Sequence, residues 1–369
     1  MAHQAKDRIT SIQTAVILAN TMLGAGILTL PRTVAEKTGT PDGWISVIIG
    51  GFLAIAAGLI MVMLSKPFRG KTFYEYIGQI TGKWLGSLIS LIVVGYFCLI
   101  ASFEIRVLAE VADFFLLEGT PSWAIIMVFM WVSLYLVTGG INAIARLFEI
   151  ILPITIFVFV IVTFFGITLF DVDNLRPVLG QGVMPVLNGV KTTAITFTGF
   201  EAILIIIAFM HRPEKASKAV IVGTSIPLMI YIITVVMVIG SLSVDGVVTR
   251  TWPTLDLVRS VEIEGLIFER FESFLLVIWI MQIYSTFTMT YYAASLGLSQ
   301  MSKRNLNGFL YGLLPVVFLM ANIPKNLAGV FRMGDFIGNL SLYLFGAMPL
   351  LLLAISKLRG HKGEGISRK

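Results

Sequence analysis

Long apolar runs follow one another along almost the whole chain, separated by short polar connections. A helix that crosses a lipid bilayer needs about 20 mostly apolar residues, because each residue advances it by about 1.5 Å through a core about 30 Å thick. The runs are continuous rather than alternating, which excludes the pattern of a membrane β-barrel. Ten membrane-spanning helices are therefore predicted, at residues 10–35, 43–65, 84–116, 122–139, 143–170, 186–210, 217–242, 266–300, 306–322 and 335–356.

The composition agrees with an integral membrane protein. Hydrophobic residues make up 57% of the chain and charged residues 13%, whereas soluble domains contain roughly 45–50% and 25%. Because the apolar runs continue from end to end, residues 1–369 are interpreted as one all-α membrane domain. Cys98 is the single cysteine, so an intramolecular disulfide is excluded. No group of His, Cys, Asp and Glu has metal-ligand spacing, and no metal or cofactor is expected.

The distribution of positive charge predicts the orientation. With the N-terminus inside, the ten spans place seventeen Lys and Arg residues in inner segments and seven in outer segments. This bias indicates that both termini are cytoplasmic. The basic tail at 357–369 is then expected to lie near anionic lipid headgroups. The longest outer connection, at 243–265, has room for a short helix over the outer mouth.

Two of the predicted spans contain helix-breaking sequences near their middle. The first contains Gly24-Ala25-Gly26 followed by Pro31, and the sixth contains Gly199-Phe200-Glu201. Spans one and six each begin a set of five, and because five is odd the second set has inverted topology. The repeats are therefore placed at about 10–170 and 186–356. Matched interruptions in two inverted halves indicate a central transporter-type binding site.

A pair of broken helices suits an amino acid. The N-terminus of a half-helix offers N–H groups and a partial positive charge to a carboxylate. Carbonyl groups freed by unwinding can accept hydrogen bonds from an ammonium group. The competing interpretation is that these glycines only permit close helix packing, as they often do in membranes.

Acidic residues within the spans are interpreted separately. A carboxylate at bilayer depth is costly, so Glu201 is expected to face protein, water or a partner. It either contacts a ligand directly or holds the break open by bonding to the backbone near Gly24–Gly26. Glu104 and Arg106 lie towards the outer end of the third span and are expected to form interfacial ion pairs.

Polar positions on other spans are candidates to line the same site. Tyr96 and Ile100 are four residues apart on the third span and share a helix face. On the eighth span, Gln282, Thr286 and Thr290 repeat every four residues and predict a polar stripe towards the interior. The alternative for the stripe is structural, because Ser and Thr commonly bond to the preceding turn or to a neighbouring helix.

Several of these motifs resemble a known superfamily. Residues 24–31 resemble the first-helix motif of the amino acid/polyamine/organocation (APC) permeases, and Thr198-Gly199-Phe200-Glu201 resembles their sixth-helix motif. The wider chain is similar to the spore-germination permease family, the B subunits of germinant receptors in endospore-forming bacteria. The stretches that carry this likeness are 20–26, 41–44, 174–180 and 269–276.

The resemblance implies a LeuT/APC-like fold of ten helices in a 5+5 inverted repeat, with helices 1 and 6 broken at mid-membrane. It implies a location in the inner membrane of the spore, with an A subunit and a lipoprotein C subunit as partners. The ligand would be an L-amino acid or a similar small polar nutrient between spans one, three, six and eight. The family positions fall on Gly24, Ala25, Gly26, Tyr96, Ile100, Thr198, Gly199, Glu201, Thr286 and Thr290. Ile100, Thr198 and Phe200 are expected to shape the side-chain pocket.

The first hypothesis is a nutrient-sensing receptor subunit that signals germination through its partners. The alternative is an ion-coupled secondary transporter, because one fold hosts several functions. Some proton-coupled permeases have a lysine in the middle of the fifth helix, and its absence between Glu149 and Asp171 favours sensing. An enzyme is the weakest hypothesis, because no nucleophile–base pair is recognisable.

Overall fold

The computed structural model describes residues 8–260 and 271–359, and the regular elements in these ranges are helical. The α-helices are α1 Ser11–Met22, α2 Gly26–Thr38, α3 Gly43–Ser65, α4 Phe73–Thr81, α5 Lys83–Phe115, α6 Ser122–Thr138, α7 Gly140–Gly166, α8 Met184–Thr196, α9 Ile203–Ile206, α10 Ala216–Val248, α11 Pro253–Arg259, α12 Phe271–Ser302, α13 Leu306–Ala321, α14 Leu327–Ser341 and α15 Met348–Leu358. The start of the predicted eighth span at 266–270 and the tail at 360–369 lie outside the described residues.

The prediction of an all-helical membrane protein is confirmed. Within the described ranges, five helical segments are long and apolar enough to cross a membrane, and α1 with α2 forms a sixth that bends by 56°. Shorter apolar helices occupy Ser122–Thr138, Phe200–Phe209 and Leu306–Ala321. Every predicted apolar segment is helical where it is described, with interruptions in the first and the sixth.

Local sequence signals determine where several helices begin and end. Thr10 and Gln13 form a reciprocal capping box at the start of α1, which satisfies N–H groups that have no partner within the helix. Helix α2 ends at Thr38 and is followed by Gly39, whose φ of 61° is a left-handed conformation that glycine adopts without a Cβ penalty. A Thr72–Glu75 capping box begins α4. This short helix lies in a connection for which no element was predicted.

The structure differs from the predicted boundaries in the second half of the chain. Helix α10 continues past the predicted end of its span to Val248, through Ser243, which has the non-helical angles φ 59° and ψ 168°. The last span begins at Leu327 rather than at residue 335, and a π-helical segment, Leu342–Ala347, joins α14 to α15. The predicted short helix in the longest outer connection is present as α11.

The surface of the helical bundle is apolar and parts of its interior are polar, which is the reverse of a soluble protein. Phe52, Phe157 and Leu319 are 62%, 66% and 67% exposed, as expected for side chains that contact lipid. Small residues bring the helices of the interior close together. On α3, for example, Gly51 and Gly58 lie against side chains of α10.

Candidate functional site

At the first break, hydrogen bonds to side chains of two other helices replace one backbone hydrogen bond of the helix. In a continuous helix, the N–H of Ala25 would donate to the carbonyl of Thr21. Instead it donates to Glu104 Oε2 on α5, at 3.0 Å. The carbonyl oxygen of Thr21 accepts a hydrogen bond from Thr286 Oγ1 on α12, also at 3.0 Å. Both groups freed by the break are therefore satisfied by buried side chains.

The second break depends on one glycine and one carboxylate. Helix α8 ends at Thr196, and Gly199 has a φ of 115°, a backbone conformation that L side chains rarely adopt. The N–H of Gly199 donates to Glu201 Oε2 at 2.8 Å, and the hydroxyl of Tyr96 donates to Glu201 Oε1 at 2.8 Å. Glu201 is completely buried, so these bonds provide the polar contacts that a buried carboxylate requires.

The two breaks are in direct contact. A Cβ atom at Gly199 would lie 2.6 Å from the carbonyl oxygen of Thr21, so only glycine fits this approach. The hydroxyl of Tyr231, on α10, is hydrogen-bonded to the carbonyl of Met22 and lies 3.0 Å from that of Thr196. One side chain thus joins the end of α1 to the end of α8.

The first and sixth spans are also connected away from the breaks, where α1 begins and where the segment Phe200–Phe209 ends. A parallel β-bridge pairs Ile9, just before α1, with Met210, just after Phe200–Phe209. The N–H of Ile9 donates to the carbonyl of Phe209, and the N–H of His211 donates to that of Ile9, both at 2.9 Å. Displacement of one broken segment at this end is therefore coupled to the other.

A cavity of about 840 Å³ lies beside the breaks, between α2, α5, α8 and α14. Its floor contains Gly24–Gly26, Glu104, Thr196 and Thr198, and these residues are buried except for the half-buried Gly26. Exposed charged residues line its mouth on the predicted outer face, namely Glu36, Lys37, Lys191 and Asp335. This volume lies within the range of about 300–1,000 Å³ that is typical of small-molecule sites.

Helix α11 lies beside the mouth of this cavity. The hydroxyl of Thr254 donates to the carbonyl of Ile27 on α2 at 3.3 Å. Trp252, immediately before α11, has its ring centroid 5.9 Å from that of Phe331 on α14, and both rings line the cavity. Burial raises the pKa of Asp256 above its ordinary value, and the positive charges of Arg250 and Arg259 partly offset this shift.

The predicted site residues fall into two groups in the structure. Gly24, Ala25, Gly26 and Thr198 line the cavity. The other predicted residues are buried and are not among its lining residues: Tyr96, Ile100, Gly199, Phe200, Glu201, Thr286 and Thr290. Within this second group, Tyr96, Gly199, Glu201 and Thr286 hydrogen-bond at the breaks, whereas Thr290 donates to carbonyls of its own helix.

Sequence reasoning missed two residues at the breaks. Tyr231 carries no sequence signal beyond a polar group in an apolar span. Glu104 was expected in an ion pair at the membrane interface, and this expectation was wrong. Glu104 is buried, accepts from Ala25 and lines the cavity, while Arg106 pairs with Glu110 four residues further along, at 2.6 Å. The i,i+4 spacing of Arg106 and Glu110 was the available signal.

Comparison with known proteins establishes the family. A model of the spore germination protein family matches residues 8–330. The chain belongs to the spore germination protein family. It is 56% identical to spore germination protein YndE of Bacillus subtilis (strain 168) over 358 residues, which cover 97% of this chain and 98% of YndE. This spore germination protein is therefore a member of a germination permease family and not of an enzyme family.

Solved structures establish the fold of this spore germination protein. The crystal structure of MhsT in complex with L-phenylalanine matches with a TM-score of 0.75 at 12% sequence identity, covering 95% of this chain and 89% of MhsT. Mhp1, a nucleobase-cation-symport-1 family transporter in a closed conformation with bromovinylhydantoin bound, matches with a TM-score of 0.67 at 15% identity, covering 96% and 79%. The chain is thus a multi-pass membrane protein with a LeuT-like fold.

Proposed function

We propose that this spore germination protein is the nutrient-binding B subunit of a germinant receptor. The cavity beside the two breaks holds a small polar nutrient, an L-amino acid being the class that the sequence favours. The observation that carries this proposal is the meeting of both interrupted helices at the floor of one cavity. Membership of the spore germination protein family supports germination as the biological context.

The proposal includes a definite architecture. Ten spans form two inverted repeats of five, at about 10–170 and 186–356, with both breaks at mid-membrane and both termini in the cytoplasm. The LeuT-like fold and the charge bias of the connections support this arrangement. The cavity then opens on the outer side of the inner spore membrane, where it meets nutrients that have crossed the outer layers.

Signalling follows from how the breaks are held together. Side chains of α5, α10 and α12 satisfy the groups that the breaks leave without helical partners. A nutrient that binds among these groups favours one arrangement of the broken helices, by no more than its difference in affinity between the two arrangements. The A and C subunits respond to that arrangement.

The first experiment screens single L-amino acids and nucleosides for binding to the purified chain in lipid nanodiscs. The second places Gly199→Leu in spores, where the larger side chain meets the backbone of Thr21 and Met22. The variant is expected to insert into the membrane and to abolish the nutrient response. Gly312→Leu is the matched control, because a Cβ atom at Gly312 meets no atom within 4 Å. A Gly199→Leu protein that is inserted and fully responsive contradicts the proposal.

The alternative function is ion-coupled secondary transport of an amino acid. The fold supports it, because Mhp1 has a similar fold and is a transporter. Accumulation of a labelled amino acid in vesicles that contain this chain alone favours transport. Saturable binding without net uptake, together with a response only in the presence of partner subunits, favours the receptor.

A further inference from the structure

The N-terminus of α2 already holds a carboxylate from the protein itself. Broken helices of this kind offer such an N-terminus to the carboxylate of a ligand. Here the N–H of Ala25 donates to Glu104 Oε2 at 3.0 Å. Glu104 is only 4% exposed and lines the floor of the cavity. A ligand carboxylate at this N–H would have to displace Glu104 or lie against its carboxyl group.

The neighbouring backbone is shaped around this side chain. A Cβ atom at Gly24 would lie 2.7 Å from both carboxylate oxygens of Glu104 and equally close to Thr286 Oγ1. The absence of a side chain at Gly24 therefore makes room for the carboxylate. The hydrogen bond to Ala25 uses one of the two oxygens of Glu104.

No positive side chain neutralises Glu104 within the part of the chain that the structure describes. The ion pairs there join Arg32 to Glu36, Arg106 to Glu110 and Arg176 to Asp173. The partial positive charge at the start of α2 offsets only part of a full negative charge. The exposed Lys37 and Lys191 lie at the mouth of the cavity. The floor thus holds a buried carboxyl group with no cationic partner among the described residues, and the exposed lysines lie further out.

We propose that Glu104 selects ligands with a free ammonium group, which it binds through a charge-assisted hydrogen bond at the cavity floor. This inference rests on the proposed nutrient-binding function and specifies how the nutrient is recognised. The ammonium group is the required feature of the ligand. The ligand's own carboxylate then points away from α2 towards the mouth of the cavity. Conversion of that carboxylate to an uncharged amide therefore weakens binding less than loss of the ammonium group does.

The test measures binding to the purified full chain in lipid nanodiscs. The probes are the twenty L-amino acids, their α-amides, which keep the ammonium group, and their N-acetyl derivatives, which keep the carboxylate. The proteins are the wild type, Glu104→Gln and Glu110→Gln. Glutamine at position 104 retains an acceptor for the N–H of Ala25 and removes the charge. Glu110→Gln removes a carboxylate from the same helix at a residue that does not line the cavity.

The wild type is expected to bind an amino acid and its α-amide, and to lose at least about tenfold in affinity for the N-acetyl derivative. Glu104→Gln should weaken amino-acid binding by roughly 10- to 150-fold, the range that a hydrogen bond to a charged group represents. Glu110→Gln should bind within about twofold of the wild type, as expected away from the contact.

Two results overturn this inference and leave the proposed function intact. One is an N-acetyl derivative that binds the wild type as tightly as its amino acid. The other is a Glu104→Gln protein that binds the amino acid as tightly as the wild type. A wild-type chain that binds no probe overturns the amino-acid ligand of the proposed function, and this inference with it. Whether or not Glu104→Gln folds, an N-acetyl derivative that binds the wild type as tightly as its amino acid overturns the inference.

Discussion

Replacement of Gly199 by alanine tests the contact between the two breaks. The new Cβ atom would lie 2.6 Å from the carbonyl oxygen of Thr21 and 3.0 Å from the nitrogen of Met22. The left-handed conformation costs an L-residue about 1–2 kcal/mol. Overpacking against backbone atoms adds roughly 1–3 kcal/mol. Gly199→Ala should therefore lower the free energy of unfolding by about 2–5 kcal/mol.

Two further glycines separate these contributions. Gly39 also has a left-handed conformation, with φ 61°, but a Cβ atom there meets no atom within 4 Å. Gly39→Ala should cost only the conformational part, about 1–2 kcal/mol. Gly312 lies within α13 with no such neighbour and an ordinary helical backbone. Gly312→Ala should leave stability unchanged or raise it by up to about 1 kcal/mol.

The chain provides its own reporter for this measurement. Cys98 is the single cysteine and is 4% exposed, so a thiol-reactive fluorophore labels it only as the bundle opens. Heating the purified proteins with this dye should give apparent melting temperatures in the order Gly312→Ala, Gly39→Ala, Gly199→Ala, from highest to lowest. If Gly199→Ala and Gly39→Ala have the same apparent melting temperature, the contact between the two breaks contributes nothing to stability and the contact argument is refuted.

Two more predictions concern the hydrogen bonds that hold the breaks. Tyr231→Phe removes the hydroxyl that lies between the ends of α1 and α8, and should cost about 1–3 kcal/mol because a buried carbonyl loses its donor. Unchanged melting in the same dye assay would contradict this prediction. Thr286→Val removes the donor to Thr21 and should cost a similar amount. Thr290→Val is its control, since among the described residues Thr290 bonds to carbonyls of its own helix. Equal losses from both variants would show that the bond across to α1 contributes nothing.

The membrane architecture and the places where it is interrupted were predictable from the sequence. Apolar runs of sufficient length require helices in lipid, because no other open structure satisfies the backbone there. Glycines at 24, 26 and 199 predicted where the two helices are interrupted. Family resemblance, carried by the same motifs, was confirmed by the comparisons. The choice of ligand-binding residues remains a prediction.

The partners of the breaks could not be predicted in the same way. Glu104 reaches Ala25 across 79 positions, Thr286 reaches Thr21 across 265 and Tyr231 reaches Met22 across 209. Hydrophobic periodicity shows which residues share one face of a helix, but it does not show which other helix that face meets. Glu104 illustrates the error, because residues two apart on a helix do not face each other, and its proximity to Arg106 in sequence was misleading.

The sequence by itself therefore determined that this chain lies in a membrane as helices, that two of them are interrupted by glycines, and to which family it belongs. The first two properties follow from local composition and spacing, and the third follows from the motifs that resemble the family. Only the tertiary structure decided that Glu104 occupies the start of α2, that Tyr231 joins the two breaks, and that the cavity floor holds a buried carboxyl group. The physical reason is that each freed backbone group takes the nearest polar side chain in space, and packing alone brings that side chain there.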